Sequence, residues 1–178
     1  MLIFGIGLNK TGASSLHEKL KEWGLVSYLY TDVSMPTARL MELLAAGARP
    51  PFNAVVDVPY VMREFRWLAK VFHYSKFVCT ERDMASWIES RTRHLTWLKK
   101  HRPDDEWASA PIDAASWERE HREHYRLVEE FFSDKMDRLL RINIPAGDDA
   151  RTLRSFIGMN QNLCPQFKRT SWPPKNNQ

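Results

Sequence analysis

The residues best suited to chemistry stand at the start of the chain: Gly5-Ile6-Gly7-Leu8-Asn9-Lys10-Thr11-Gly12-Ala13-Ser14-Ser15. Glycines let a backbone curl until successive N–H groups converge on one point. Lys10 adds a full positive charge, and Thr11, Ser14 and Ser15 add hydroxyl donors. An apolar, strand-like run, Leu2 to Ile6, precedes the loop, and helical spacing of Leu16, Leu20 and Trp23 follows it. A helix starting there contributes its first N–H groups and the positive end of its dipole. This combination suits a phosphate or a sulfate. The pattern is not the G-x-x-x-x-G-K-[ST] phosphate loop, because the lysine precedes Gly12 by two positions and none follows it. The plainer alternative is a strand-to-helix turn that needs glycine only.

The rest of the chain must hold that loop in place. Apolar β-type runs recur at Ala54 to Val58, Lys76 to Thr80 and Arg138 to Ile142, with a weaker one at Val26 to Tyr30. Helical periodicity fills Ser14 to Trp23, Met35 to Ala46, Val61 to Val71, Met84 to Lys100, Ala114 to Phe132 and Asp149 to Ile157. Gly24 is placed to cap the first helix, and Pro36 and Pro59 stand near helix starts, where proline is tolerated. Strands alternating with helices imply an α/β fold with a mostly parallel sheet. Ligands of such sheets bind beyond the carboxyl ends of the strands. That rule selects Gly7 to Ser15, Asp57 to Tyr60 and Glu81 to Asp83. His101 to Asp113 reads as a loop between two helices, and 160–178 as an irregular polar tail.

Composition sets outer limits. The 178 residues, 43% hydrophobic and 27% charged, suffice for a single domain with one sizeable core. Net charge is +4, which suits a small anionic ligand and is too weak to argue for nucleic acid, so no nucleic-acid partner is expected. Short basic clusters, Lys99 to Arg102 and Lys168 to Arg169, read as solvated faces. No apolar run approaches the ~20 residues of a membrane span, and no leader is recognisable, so a cytoplasmic protein without membrane partners is expected. Cys79 and Cys164 lack metal or disulfide spacing. Cys79 is expected to be buried.

Lys10-Thr11-Gly12-Ala13-Ser14-Ser15 resembles the K-[ST]-G-T-[TS] loop of sulfotransferases, which cradles the 5′-phosphosulfate of 3′-phosphoadenosine 5′-phosphosulfate (PAPS). Lys76-Phe77-Val78-Cys79-Thr80-Glu81-Arg82-Asp83, with Ser90 further on, resembles that family's second signature, a strand ending in an arginine with a serine eight residues later. The resemblance implies that Arg82 and Ser90 bind the donor's 3′-phosphate, and the guanidinium fork suits such a contact. Asp57-Val58-Pro59 resembles the D-x-P of one largely bacterial branch. Phe156-Ile157-Gly158 and Trp172-Pro173-Pro174-Lys175-Asn176 resemble its closing motifs. Ala13 departs from the usual threonine, Glu81 puts a carboxylate beside Arg82, and the C-terminal R-K-G loop of cytosolic members is missing; Lys168 and Arg169 are possible substitutes for it.

The resemblance implies a three-layer, P-loop NTPase-like fold and transfer of a sulfuryl group from PAPS to a hydroxyl or amine of a small-molecule or glycan acceptor, without a metal. Lys10 would stabilise the leaving oxygen, and Thr11, Gly12, Ala13, Ser14 and Ser15 would cradle the phosphosulfate. The base that takes the acceptor's proton is expected to be Asp57, at the carboxyl edge of an inner strand; its plainer alternative is a helix cap for the segment after Pro59. The six histidines are expected to lie away from the strand ends, with His101 a reserve candidate, and Trp107 is a candidate to close over an acceptor. Two other functions stay open: a nucleotide kinase or NTPase with a degenerate phosphate loop, and a binding protein of this fold without catalysis. Oligomeric state is open too.

Overall fold

Five short parallel strands form the centre: β1 (Ile3–Gly5), β2 (Ser27–Leu29), β3 (Ala54–Val56), β4 (Lys76–Thr80) and β5 (Leu139–Ile142), in the order β2-β3-β1-β4-β5. Seven α-helices are described: α1 (Ala13–Glu22), α2 (Thr37–Ala45), α3 (Pro59–Arg63), α4 (Phe65–Val71), α5 (Met84–His101), α6 (Ala114–Phe132) and α7 (Ala150–Phe156). The computed structural model describes residues 1–30, 34–148 and 150–159. Asp149, Cys164, Lys168, Arg169, the closing motif 172–176 and the expected tail 160–178 lie outside the described residues.

The central strands β1 and β3 are apolar and buried throughout, because both faces of the sheet are covered. Side chains alternate between the faces. Phe4, Tyr28, Val55 and Phe77 turn to one side, against Leu40, Leu44, Phe65, Leu68, Val128 and Phe132 of α2, α4 and α6. Ile3, Ala54, Val56 and Val78 turn to the other, against Leu16, Leu20 and Leu153 of α1 and α7. The fold is thus a three-layer α/β sandwich of the P-loop-like kind. Cys79 is fully buried with a free thiol, pushed up by burial. Among the described residues no helix is long and apolar enough to cross a membrane.

One expected helix is two. The run 61–71 breaks at Glu64 (φ −97°, ψ 18°), which separates α3 from α4. Val61, Phe65 and Leu68 all still reach the core, so their helical spacing carries no sign of the break.

A third apolar cluster serves the functional edge. Leu8 of the loop after β1 packs with Trp87, Leu95 and Leu98 of α5, Ala108 of the following loop and Trp117 of α6. The α5–α6 hairpin therefore backs the glycine loop, while the C-terminal half of α6 covers the sheet face through Val128 and Phe132.

Candidate active site

The strand order puts β1 between β3 and β4. The carboxyl ends of these three adjacent strands carry the Lys10 loop, Asp57 and Arg82 respectively. The chain leaves β1 for one side of the sheet and returns to the other side with β4, so this is the crevice where the strand order reverses.

Close packing dictates the loop's path. A Cβ on Gly7 would sit 2.6 Å from the backbone nitrogen of Thr80, so only glycine allows β1 and β4 to run this close. Gly12 has φ 116° and precedes α1 directly. Lys10 is also left-handed, at φ 65°, an uncommon state for a residue with a side chain. Thr11 is fully buried. Its hydroxyl donates to Leu8 O at 2.5 Å, and Thr80 Oγ1 must then be the donor in their 2.7 Å bond. The Thr11 hydroxyl is therefore committed inside the loop, and its backbone N–H is what it can offer a ligand. Ser14 is half-buried and Ser15 buried in the first turn of α1.

Asp57 is the second left-handed non-glycine residue, at φ 59°. It does not cap a helix. Val58 holds the N-cap position of α3 and no side chain caps it. Oδ1 of Asp57 is enclosed and has no hydrogen-bond partner among the described residues. Burial pushes this carboxyl up to about 6, and the charge of Lys10 limits the rise. Burial also lowers Lys10, and Asp57 opposes that shift. The two residues thus form an electrostatically coupled pair across the ends of β1 and β3.

Arg82 follows β4. Its Nε donates to Ser86 Oγ at 3.0 Å and Nη1 to Lys10 O at 3.3 Å. Asp83 caps α5 by accepting from Ser86 N, and its carboxylate also holds Ser86 Oγ. Ser90 stands one helical turn beyond Ser86, half-buried on the same face. Glu81 does not compete for Arg82. It pairs with Arg141 Nε on β5, because neighbours along a strand point to opposite sides.

The histidines correct the sequence expectation. His124 Nε2 lies 2.7 Å from Ile6 O and His121 Nε2 lies 3.1 Å from Arg82 O. A carbonyl only accepts, so both rings carry the proton on Nε2. Burial holds His124 below the usual histidine range. Tyr125 OH donates to Thr80 O at 2.9 Å. His121, His124 and Tyr125 form a stripe at i, i+3 and i+4 on α6 that touches the ends of β1 and β4. The spacing is visible in the sequence, but the direction it faces is not. His94 of α5 lies in the field of Lys10 and is driven down to about 4 by burial first and by that charge second. His101 instead stacks on Trp97 and bonds its carbonyl within α5.

The 102–113 loop reaches across to the end of β2. Tyr30, just past that strand, donates to Glu106 Oε1 at 2.6 Å. Trp107 in the same loop is 39% exposed. Among the described residues no group of three or more His, Cys, Asp or Glu side chains is arranged to hold a metal.

No curated protein matches the chain. A family model does: that of the sulfotransferase domain, over residues 2–164. The match spans the glycine loop, the three strand ends and the α5–α6 hairpin behind them, so the chain belongs to the sulfotransferase domain family, whose common chemistry is sulfuryl transfer.

Proposed function

We propose that the chain transfers the sulfuryl group of PAPS to a hydroxyl or amine of a small-molecule or glycan acceptor, as a cytoplasmic enzyme without nucleic-acid or membrane partners. The observation that carries this reading is the convergence of Lys10, Asp57 and Arg82 on three adjacent strand ends. The residues suit the donor. A left-handed Lys10 beside a glycine loop and a helix start makes a concave set of N–H donors for a phosphosulfate. Arg82 and Ser90 suit a second phosphate some way along the same molecule.

When bound, PAPS supplies an activated sulfuryl group on a phosphate leaving group. The protein's share is positioning and charge stabilisation. Lys10 and the backbone N–H groups of Thr11, Gly12, Ala13, Ser14 and Ser15 hold the negative charge that gathers on the leaving oxygen. Asp57, half-buried just past the end of β3, accepts the acceptor's proton on its carboxylate. Its pKa of about 6 leaves it ionised yet basic near neutral pH, the balance a general base needs. Trp107 and the loop that carries it form the wall on the acceptor side.

The test is a binding panel followed by turnover. Calorimetry with 3′,5′-ADP, 5′-ADP, ATP and GTP, each with and without magnesium, should show tightest binding to 3′,5′-ADP, independent of the metal. Magnesium-dependent preference for ATP or GTP would replace this reading with a kinase or NTPase. Donor binding without label transfer from PAPS to any member of a broad acceptor set would leave a binding protein of the same fold.

A further inference from the structure

The geometry of the loop points to Trp87 as a positioning residue: we infer that its indole N–H fixes the peptide between Asn9 and Lys10 so that the Lys10 amide faces the 5′ end of the donor. Like Arg82, Trp87 finds a partner in the glycine loop, and its packing alone does not explain that contact. The ring is fully buried between α5 and α6. It stands beside His121 at 5.1 Å between ring centroids and carries the Arg91 guanidinium at 5.1 Å from its centroid. A phenylalanine would fill most of that space. What only tryptophan supplies is the N–H, and it is used at full strength, 2.7 Å from Asn9 O.

A trans peptide points its C=O and the next residue's N–H in opposite directions. Drawing Asn9 O toward α5 therefore turns the Lys10 N–H away from α5. Arg82 does the same to the next peptide by donating to Lys10 O, which turns the Thr11 N–H outward. Thr11 Oγ1 holds Leu8 O and so sets the Asn9 N–H. Three consecutive carbonyls are tied to the protein, and Lys10 adopts φ 65° between them. A left-handed residue in such a run is the geometry in which successive N–H groups converge on an anion. Of the three ties, those of Thr11 and Arg82 come from groups already within the site's motifs. The Trp87 tie comes from outside them, from the buried face of α5. It also restrains the conformation from which the Lys10 side chain departs.

This inference rests on the donor reading for its biological meaning, but its physical content is a phosphate cradle that depends on one indole N–H. Inorganic pyrophosphate probes the cradle, and 3′-AMP probes the Arg82 side. Trp87→Phe should bind pyrophosphate about tenfold more weakly while 3′-AMP affinity stays within about twofold, and kcat should fall tenfold or more with the acceptor KM unchanged. Replacement of Trp87 by 3-benzothienylalanine, which keeps the shape and removes only the N–H, should reproduce the pattern, and it serves as the decisive variant where phenylalanine fails to fold. Equal pyrophosphate affinity in the sulfur analogue and the native protein overturns the inference, as does a parallel loss for both probes, which marks a structural role only. The same titrations separate the two ideas. If the native protein binds pyrophosphate in a Trp87-dependent way but does not prefer 3′,5′-ADP to 5′-ADP, the PAPS reading fails and the cradle stands.

Discussion

Asp57→Asn tests the site most sharply, because one substitution should move activity and stability in opposite directions. Asparagine keeps the size of the side chain and is among the residues that best tolerate a left-handed backbone, so φ 59° at this position is no obstacle to folding. The amide cannot accept a proton at neutral pH. Turnover should fall by roughly 10²–10⁴. The stability effect follows from the raised carboxyl. In the folded protein it titrates near 6, against 3.8 for an unburied aspartate. Between those pH values the folded state binds more protons than the unfolded one, so stability decreases as pH rises through the interval. Above pH 6 the ionised form costs the fold about 3 kcal/mol relative to acid solution. Asparagine removes that cost, while Lys10 loses the charge that opposes its own downward shift. The net gain should be about 1–3 kcal/mol at pH 7.5, vanishing below about pH 4. Urea denaturation of both proteins at the two pH values reads it directly. The native enzyme's kcat should rise with pH to a plateau, with a midpoint near 6, as the base ionises, and the variant's residual rate should lack that limb. Full activity in a folded variant would remove Asp57 as the base and turn attention to His94. Lower stability than the native protein at pH 7.5 would refute the account of its burial.

Three further outcomes are expected. Arg82→Ala should weaken 3′,5′-ADP by about 1.5–3 kcal/mol and 5′-AMP much less, by calorimetry; equal losses would show that Arg82 does not read the 3′ position. Lys10→Ala should cut sulfuryl transfer a hundredfold or more while 3′,5′-ADP affinity changes less than about tenfold, since charge on the leaving oxygen develops mainly in the transition state; a near-native rate would exclude that role. Gly7→Ala should not give a native fold, because its Cβ meets the Thr80 backbone at 2.6 Å; a soluble variant with an unchanged melting temperature would show that β1 and β4 are not held as tightly as described.

Sequence reading succeeded where one residue's meaning depends on its position along the chain. Strand runs at 54–56, 76–80 and 139–142 stand out because both sheet faces are apolar. Once the strands are known, the carboxyl-edge rule directs attention to Lys10, Asp57 and Arg82. It failed where meaning depends on rotation about an axis. Glu81 and Arg82 are neighbours, but the strand sends one to Arg141 and the other to Ser86. Thr11 counts as a ligand hydroxyl in a motif, while in three dimensions it bonds Leu8 O and Thr80. His121, His124 and Tyr125 share one face of α6, yet only the docking of α6 across β1 and β4 turns that face to Ile6, Thr80 and Arg82. Ser86 had a local signature, the Asp83-x-x-Ser86 cap, but nothing in it announces Arg82 as a third partner.

The unfavourable features of the fold are concentrated, and their location is itself informative. The two described non-glycine residues with positive φ are Lys10 and Asp57, and each such residue costs on the order of 1–3 kcal/mol. The same two carry opposite charges, and burial shifts the pKa of each against its ionised form. Glycine at either position would relieve the backbone, and an uncharged side chain would relieve the burial. A fold selected for stability alone has no reason to keep strain and buried charge together at adjacent strand ends. The proposed roles supply one: a cation that is to stabilise a leaving group and a carboxylate that is to act as base would both gain from being held out of water in fixed positions. The surrounding hydrogen bonds to Ile6, Asn9, Lys10, Thr80 and Arg82 carbonyls are then the restraints that keep the strained arrangement from relaxing.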